Sequence, residues 1–228
     1  MTISIDVWSD IACPWCWVGK RRLEQALEAF GQPARVVFHA FELDPNAPTD
    51  ADPDVAYVER LAAKYGVPRA EAQAMIDRMT ALGAEVGLDM RFDRARPTNT
   101  FDAHRLLAWA LEHGRQEPMK ERLFRAYLSE GRDLADRATL VELAADVELP
   151  SDEAERVLAS GANSEAVRRD EAQARQMDVN GVPFFVVGQR YGVMGAQPAE
   201  VLQDVLLKVA AVRPGPQPSG PACEPEGC

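Results

Sequence analysis

Cys13 and Cys16 stand three residues apart near the start of this 228-residue chain, and Cys223 and Cys228 stand at its end, so the four cysteines form two pairs. Paired thiols support thiol–disulfide exchange, in which a thiolate attacks a disulfide sulfur and passes through a mixed disulfide. The first pair, Cys13-Pro14-Trp15-Cys16, opens a stretch with apolar residues at helical spacing, including Leu23, Leu27 and Phe30. At the start of a helix, side chains three residues apart face the same side at about 5–6 Å, within reach of a disulfide. Unpaired backbone N–H groups and the positive end of the helix dipole favour a thiolate at that position. The pattern therefore assigns Cys13 as the accessible nucleophile and Cys16, one turn into the helix, as the shielded thiol that resolves the mixed disulfide. Pro14 suits the first turn because it needs no N–H partner there. The competing reading is a pair of inert cysteines buried beside a turn; placement between a strand and a helix favours the redox reading.

Cys223 and Cys228 enclose Glu224, Pro225, Glu226 and Gly227, a spacing that closes across a turn rather than along one helix face. They end a Pro/Gly-rich tail, residues 213–228, with little apolar bulk to bury, for which an extended conformation is expected. Its segment Pro214–Pro221 spans roughly 25 Å when extended, enough to bring the second pair over Cys13 as an internal dithiol relay. Two other readings stay open: an accessory tail disulfide, and a zinc site of four thiolates shared between the pairs. Glu224 and Glu226 disfavour thiolates there by like-charge repulsion.

The elements that must position the first pair are legible in outline. Ile3–Trp8 alternates apolar and polar residues as a strand, the helix from Pro14 to Phe30 follows, and Arg35–Leu43 reads as a second strand. Helical periodicity then dominates, with stretches at 54–65, 68–87, 98–113, 117–130, 137–148, 151–160 and 164–178. Pro68 is expected at a first helical position, and Ser151 and Asn163 or Ser164 as caps. Strand-like residues return at 183–187 and 191–194, separated by a turn, before a last helix over 198–212. Strands at the two ends must pair to hide their edges, giving one sheet domain with a helical insertion.

Composition narrows the partners. A formal charge of -11 opposes general binding to phosphate backbones or anionic lipid, so neither nucleic acid nor membrane is an expected partner. Residues 1–6 carry no secretory leader pattern and no run approaches membrane-spanning length, so a cytoplasmic protein is expected. Most cysteines stay reduced in that compartment, which makes a paired set more often catalytic or redox-sensing than structural.

Three ordered segments carry a family resemblance: Trp8–Gly19 around the dithiol, Pro97–Leu106, and Gly181–Phe185. Together they resemble the DsbA family of thiol–disulfide oxidoreductases, in its FrnE-like branch, over about residues 3–212. The resemblance implies an α/β thioredoxin-like fold, with residues 1–43 and 182–212 as the thioredoxin-like domain and 44–181 as an all-helical insertion. It implies that Pro183 is a cis-proline facing the dithiol and that Val182 offers backbone groups to an extended protein or peptide substrate. Trp15 and Asn99 would border the same substrate cleft. No resident cofactor is implied; reducing equivalents would come from a thiol donor such as glutathione or a thioredoxin system. Trp15 replaces the histidine usual between the cysteines of periplasmic members, removing an imidazolium that would stabilise the thiolate, so reduction or isomerisation is favoured over strong oxidation. A glutathione-dependent transferase or 2-hydroxychromene-2-carboxylate isomerase shares this architecture but generally carries serine at the position of Cys13. A redox-regulated chaperone is the nonenzymatic alternative.

Among other residues, Thr98 or Asn99 is expected to cap a helix, with His104 as a partly buried surface residue. His39 and Glu42 are candidate proton carriers whose facing the strand pattern leaves undecided.

Overall fold

A computed structural model describes residues 2–49 and 55–212. The second cysteine pair, Cys223 and Cys228, lies outside the described residues.

Strand β1 (Ile3–Ser9) is followed by α1 (Pro14–Phe30) and β2 (Ala34–Ala40), and the chain returns near its end with β3 (Phe184–Val187), β4 (Tyr191–Met194) and α9 (Ala199–Ala211). These strands form one sheet in the order β2-β1-β3-β4, with β1 parallel to β2 and antiparallel to β3. The parallel pair needs a crossover, which α1 supplies. Alternation along β1 splits its two faces. Ile3, Ile5 and Val7 pack with Leu23 and Phe30 of α1, Phe185 and Val187 of β3, and Leu202 and Leu206 of α9. The other face carries Trp8, which lies against Ala174 and Val179 and stacks on His39 at 4.4 Å.

Between β2 and β3 lie α2 (Tyr57–Tyr65), α3 (Arg69–Glu85), α4 (Phe101–Glu112), α5 (Gln116–Arg125), α6 (Arg137–Ala145), α7 (Ser151–Ala159) and α8 (Ser164–Gln176). This is the α/β, thioredoxin-like arrangement with a helical insertion. The expected stretch at 117–130 divides: α5 runs into a π-helical turn at Ala126–Glu130. That turn ends at Gly131, whose φ of 70° and close approach to the Arg94 carbonyl leave no room for a Cβ. Pro68 and Pro150 precede their helices as N-caps, so Ser151 is the first helical residue and not a cap. Asn163 occupies the N-cap position of α8 in a left-handed conformation, but its side chain makes no capping hydrogen bond and donates to Glu112 instead.

His39 is held between Asp6 of β1 (2.9 Å) and Asp170 of α8 (2.8 Å). Burial alone would lower its pKa, but the two carboxylates outweigh it and hold the imidazolium above the usual histidine range. Because the folded state binds this proton more tightly, the contribution is complete below the unfolded pKa of about 6.5 and is lost as pH rises through the raised value. His39→Gln should therefore destabilise the protein more at pH 6 than at pH 9, as read from thermal unfolding across that range.

Candidate active site

The strand-to-helix junction builds the site. Cys13 is the N-cap of α1, with extended backbone (φ -94°, ψ 109°), and Pro14 occupies the first turn as its missing N–H allows. The Cys16 N–H donates to the Cys13 carbonyl at 3.0 Å, and the Cys13 N–H to that of Asp10 at 3.3 Å. Both cysteines are free thiols. Their residue exposures, 4% and 3%, do not separate them. The opening does: Cys13, with Pro14 and Trp15, lines a cleft of about 680 Å³, and Cys16 lies behind it. Burial, a hydrogen bond with Cys13 and the charge of Cys13 push the Cys16 thiol well above the ordinary cysteine range. Limited iodoacetamide treatment should accordingly label Cys13 before Cys16, as peptide mass mapping will read; faster labelling of Cys16 would reverse the assignment.

The Val182-Pro183 peptide bond is cis, and the Val182 carbonyl accepts from the Cys13 thiol at 3.6 Å. Pro183 is buried against Gly19, one turn beyond Cys16: a Cβ at Gly19 would come within 2.8 Å of the proline ring. Glycine there lets α1 approach the loop that carries Val182. Trp15, 44% exposed, stands at the rim of the cleft.

The far wall comes from the helical segment. Leu61, Met75, Ile76 and Met79 of α2 and α3 line it, with Tyr57 and Tyr127, the latter from the π turn. Desolvation pushes both phenols up, so they stay neutral. Asn99 does not line the cleft. Its amide donates to the Pro45 carbonyl at 3.3 Å, and its Oδ1 accepts from the Phe101 N–H at 2.9 Å, so it fastens the 45–48 loop and the start of α4. Its neighbours Pro97, Thr98 and Thr100 reach the cleft instead. Thr100, not Thr98 or Asn99, is the N-cap residue.

Beneath the dithiol lies a polar network that the sequence did not reveal. Asp10 is buried and accepts from the Leu43 N–H (2.8 Å), the Thr100 hydroxyl (2.9 Å), the Ala12 N–H (3.3 Å) and His104 Nε2 (3.3 Å). Burial raises its pKa, but His104 and the other donors outweigh that and hold the carboxylate below its usual range. His104, expected partly exposed, is 2% exposed; desolvation lowers its pKa, so it is a neutral imidazole donating from Nε2. Lys120 of α5 is fully buried, its Nζ 3.5 Å from the Ser9 carbonyl and 4.9 Å from the centre of the Phe124 ring. Glu42 is buried beside Glu171, both paired to Arg168; desolvation leads in raising its pKa to about 7, helped by the hydrogen bond with Glu171. One signal for Lys120 was present in the sequence: it shares the face that buries Gln116, Met119, Leu123 and Phe124.

Trp17 Nε1 donates to the Glu121 carboxylate at 3.2 Å, and Lys20 Nζ to Glu117 at 2.6 Å, so α5 holds the dithiol helix directly. Among the described residues, no group of three or more His, Cys, Asp or Glu side chains is placed to hold a metal ion, and no helix is long and apolar enough to cross a membrane.

Residues 4–207 match the model of the DSBA-like thioredoxin domain. The chain belongs to this DsbA-like family. A probable DsbA oxidoreductase from Streptomyces coelicolor is similar throughout, with 42% identity, a TM-score of 0.87, and coverage of 99% of this chain and 98% of that one. Two more distant structures share the fold. A 2-hydroxychromene-2-carboxylate isomerase is 14% identical (TM-score 0.68; 91% and 96% of the two chains), and the cytosolic disulfide reductase DsbM from Pseudomonas aeruginosa, solved with GSH, is 17% identical (TM-score 0.64; 91% and 99%). As a DsbA-like protein, the chain is a redox enzyme with the fold of thiol–disulfide oxidoreductases.

Proposed function

We propose that this DsbA-like protein reduces or isomerises disulfides in protein or peptide substrates, with Cys13 as nucleophile and Cys16 as resolving thiol. The observation that carries the reading is the pair of free thiols at the helix start, with Cys13 alone on the cleft wall and 3.6 Å from the Val182 carbonyl. The Cys13 thiolate attacks one sulfur of a substrate disulfide R–S–S–R′, forming Cys13–S–S–R and releasing R′–S⁻. Cys16 then loses its proton and attacks the Cys13 sulfur; a Cys13–Cys16 disulfide forms and R–S⁻ departs. Two electrons pass from dithiol to substrate, and a thiol donor such as glutathione or a thioredoxin system restores the dithiol. No resident cofactor takes part.

Val182 is the docking residue for an extended substrate backbone, with Trp15 packing beside it. Trp15, which brings no imidazolium to Cys13, supports the reducing direction. The resemblance of the dithiol segment to the FrnE-like branch, beside the cytosolic disulfide reductase DsbM that shares the fold, supports a cytoplasmic, FrnE-like member. Cys13 where the isomerase class generally has serine weighs against that activity.

Insulin reduction measured beside suppression of aggregation tests the reading. Activity that depends on Cys13 is the expected result; aggregation suppression without thiol-dependent reduction would favour the chaperone. Cys223 and Cys228 are proposed as a relay to the first pair, and removal of residues 213–228 should slow re-reduction of the enzyme. Equal rates, together with no trapped disulfide between the pairs, would reject the relay.

A further inference from the structure

A lysine whose side chain is wholly buried costs free energy unless its charge finds a partner. Lys120 is 0% exposed, and among the described residues no carboxylate lies within ion-pair distance of its Nζ. Its Nζ donates to the Ser9 carbonyl at 3.5 Å, and the rings of Phe38 and Phe124 face it at 5.8 and 4.9 Å. Cys16 and Lys20 face it from α1, Cys13 from its N-cap, Asp10 from the loop before α1 and His104 from α4, while His39 of β2, Glu112 of α4 and Arg169 and Asp170 of α8 line a cavity together with it. Asp10 already accepts four hydrogen bonds, and Lys20 is occupied by Glu24, Glu117 and Glu121. Cys16 is the remaining site of new negative charge on this side of the dithiol, and it must ionise in a buried position to resolve a mixed disulfide.

We propose that the Lys120 ammonium is the counter-ion of the Cys16 thiolate, so that the helical insertion controls the resolving half of the exchange. This rests on the dithiol reading above and adds a positioning residue from outside the thioredoxin-like unit. Chemically, Cys16–SH gives its proton to the departing thiolate or to water, the sulfur attacks Cys13–S–S–R, and the products are the Cys13–Cys16 disulfide and R–SH. Lys120 stays charged through the step and lowers the cost of the buried thiolate by direct Coulomb attraction. Its pKa, lowered by desolvation to about 8 against the raising effect of Cys16, Asp10 and Cys13, leaves the ammonium form dominant at neutral pH. A second cavity of about 220 Å³, which Lys120 and His104 help to line, shares no residue with the substrate cleft. The cation therefore does not compete with substrate for the same space.

Mixing the reduced protein with an aromatic disulfide such as dithionitrobenzoate separates the two steps, because attack by Cys13 and resolution by Cys16 each release one coloured thiolate. In Lys120→Met the second release should slow about tenfold at pH 7, and by more than the first, with its pH midpoint moved up by about one unit; that shift corresponds to a tenfold loss of thiolate. Lys120→Arg, which keeps a cation, should restore the second phase. An unchanged second phase in Lys120→Met, at unchanged rates of the first, would overturn the proposal. If wild type shows no second release, it is the dithiol reading that fails.

Discussion

Replacing Asp10 by alanine should destabilise the protein by about 3–5 kcal/mol, because it leaves a set of buried donors without their acceptor. The carboxylate holds three parts of the molecule at once: the Ala12 N–H of the loop that presents Cys13, the Leu43 N–H after β2, and Thr100 and His104 at the start of α4. Against a total stability typical of single domains, about 5–15 kcal/mol, this is a large fraction, and urea unfolding of the variant will read it directly. Asp10→Asn should cost less, since an amide oxygen still accepts from some of these donors. The pH dependence follows from the same network. The depressed pKa of Asp10 stabilises the fold above the unfolded value of about 3.9 and is lost as pH falls through the lowered folded value. His104, also depressed, is neutral in the fold, so stability falls as pH drops below about 6.5, where the unfolded chain takes up a proton that the folded chain refuses. Acid should therefore loosen the protein in two stages, and His104→Gln should flatten the first.

Cys13→Ser should bring insulin reduction to the uncatalysed background. A serine hydroxyl neither ionises near neutral pH nor forms a covalent disulfide, so both half-reactions lose the atom through which they pass. Stability should change little, because the two side chains are nearly isosteric and the hydroxyl can still donate to the Val182 carbonyl that accepts from the Cys13 thiol. A variant that folds normally and reduces nothing is the expected outcome, measured by thermal unfolding beside turbidity of insulin. Residual reduction near the wild-type rate would move the nucleophile elsewhere.

The dithiol, the strands at both ends and most helix positions were legible because they depend on local pattern: period two in β1, period 3.6 in the helices, and a strand-to-helix junction around Pro14. Pro183 was a different case. Nothing local distinguishes a cis-proline from one that opens a strand, and only the resemblance of Gly181–Phe185 to a known family pointed to it. Asn99 shows how neighbouring positions part company, since Pro97, Thr98 and Thr100 line the cleft while the Asn99 amide turns to Pro45. Asp10, His104 and Lys120 were hidden for a physical reason. A buried polar residue has no periodic signature beyond interrupting an apolar face, and its partners lie about 90–110 positions away in sequence, as with Asp10 and His104. The π turn at Ala126–Glu130, which places Tyr127 at the cleft, follows the same apolar spacing as an α-helix and was read as one.

The role of the two cysteines is tested most directly by trapping. Cys16→Ser protein, reduced and mixed with a cystine-containing peptide, lacks the thiol that resolves the mixed disulfide, so a stable covalent adduct should accumulate. Digestion and mass spectrometry should place the peptide on Cys13. Attachment to Cys13 in Cys16→Ser, with none on Cys16 in Cys13→Ser, is the predicted result. A stable adduct on Cys16 in the Cys13→Ser variant, or none on Cys13, would contradict the account.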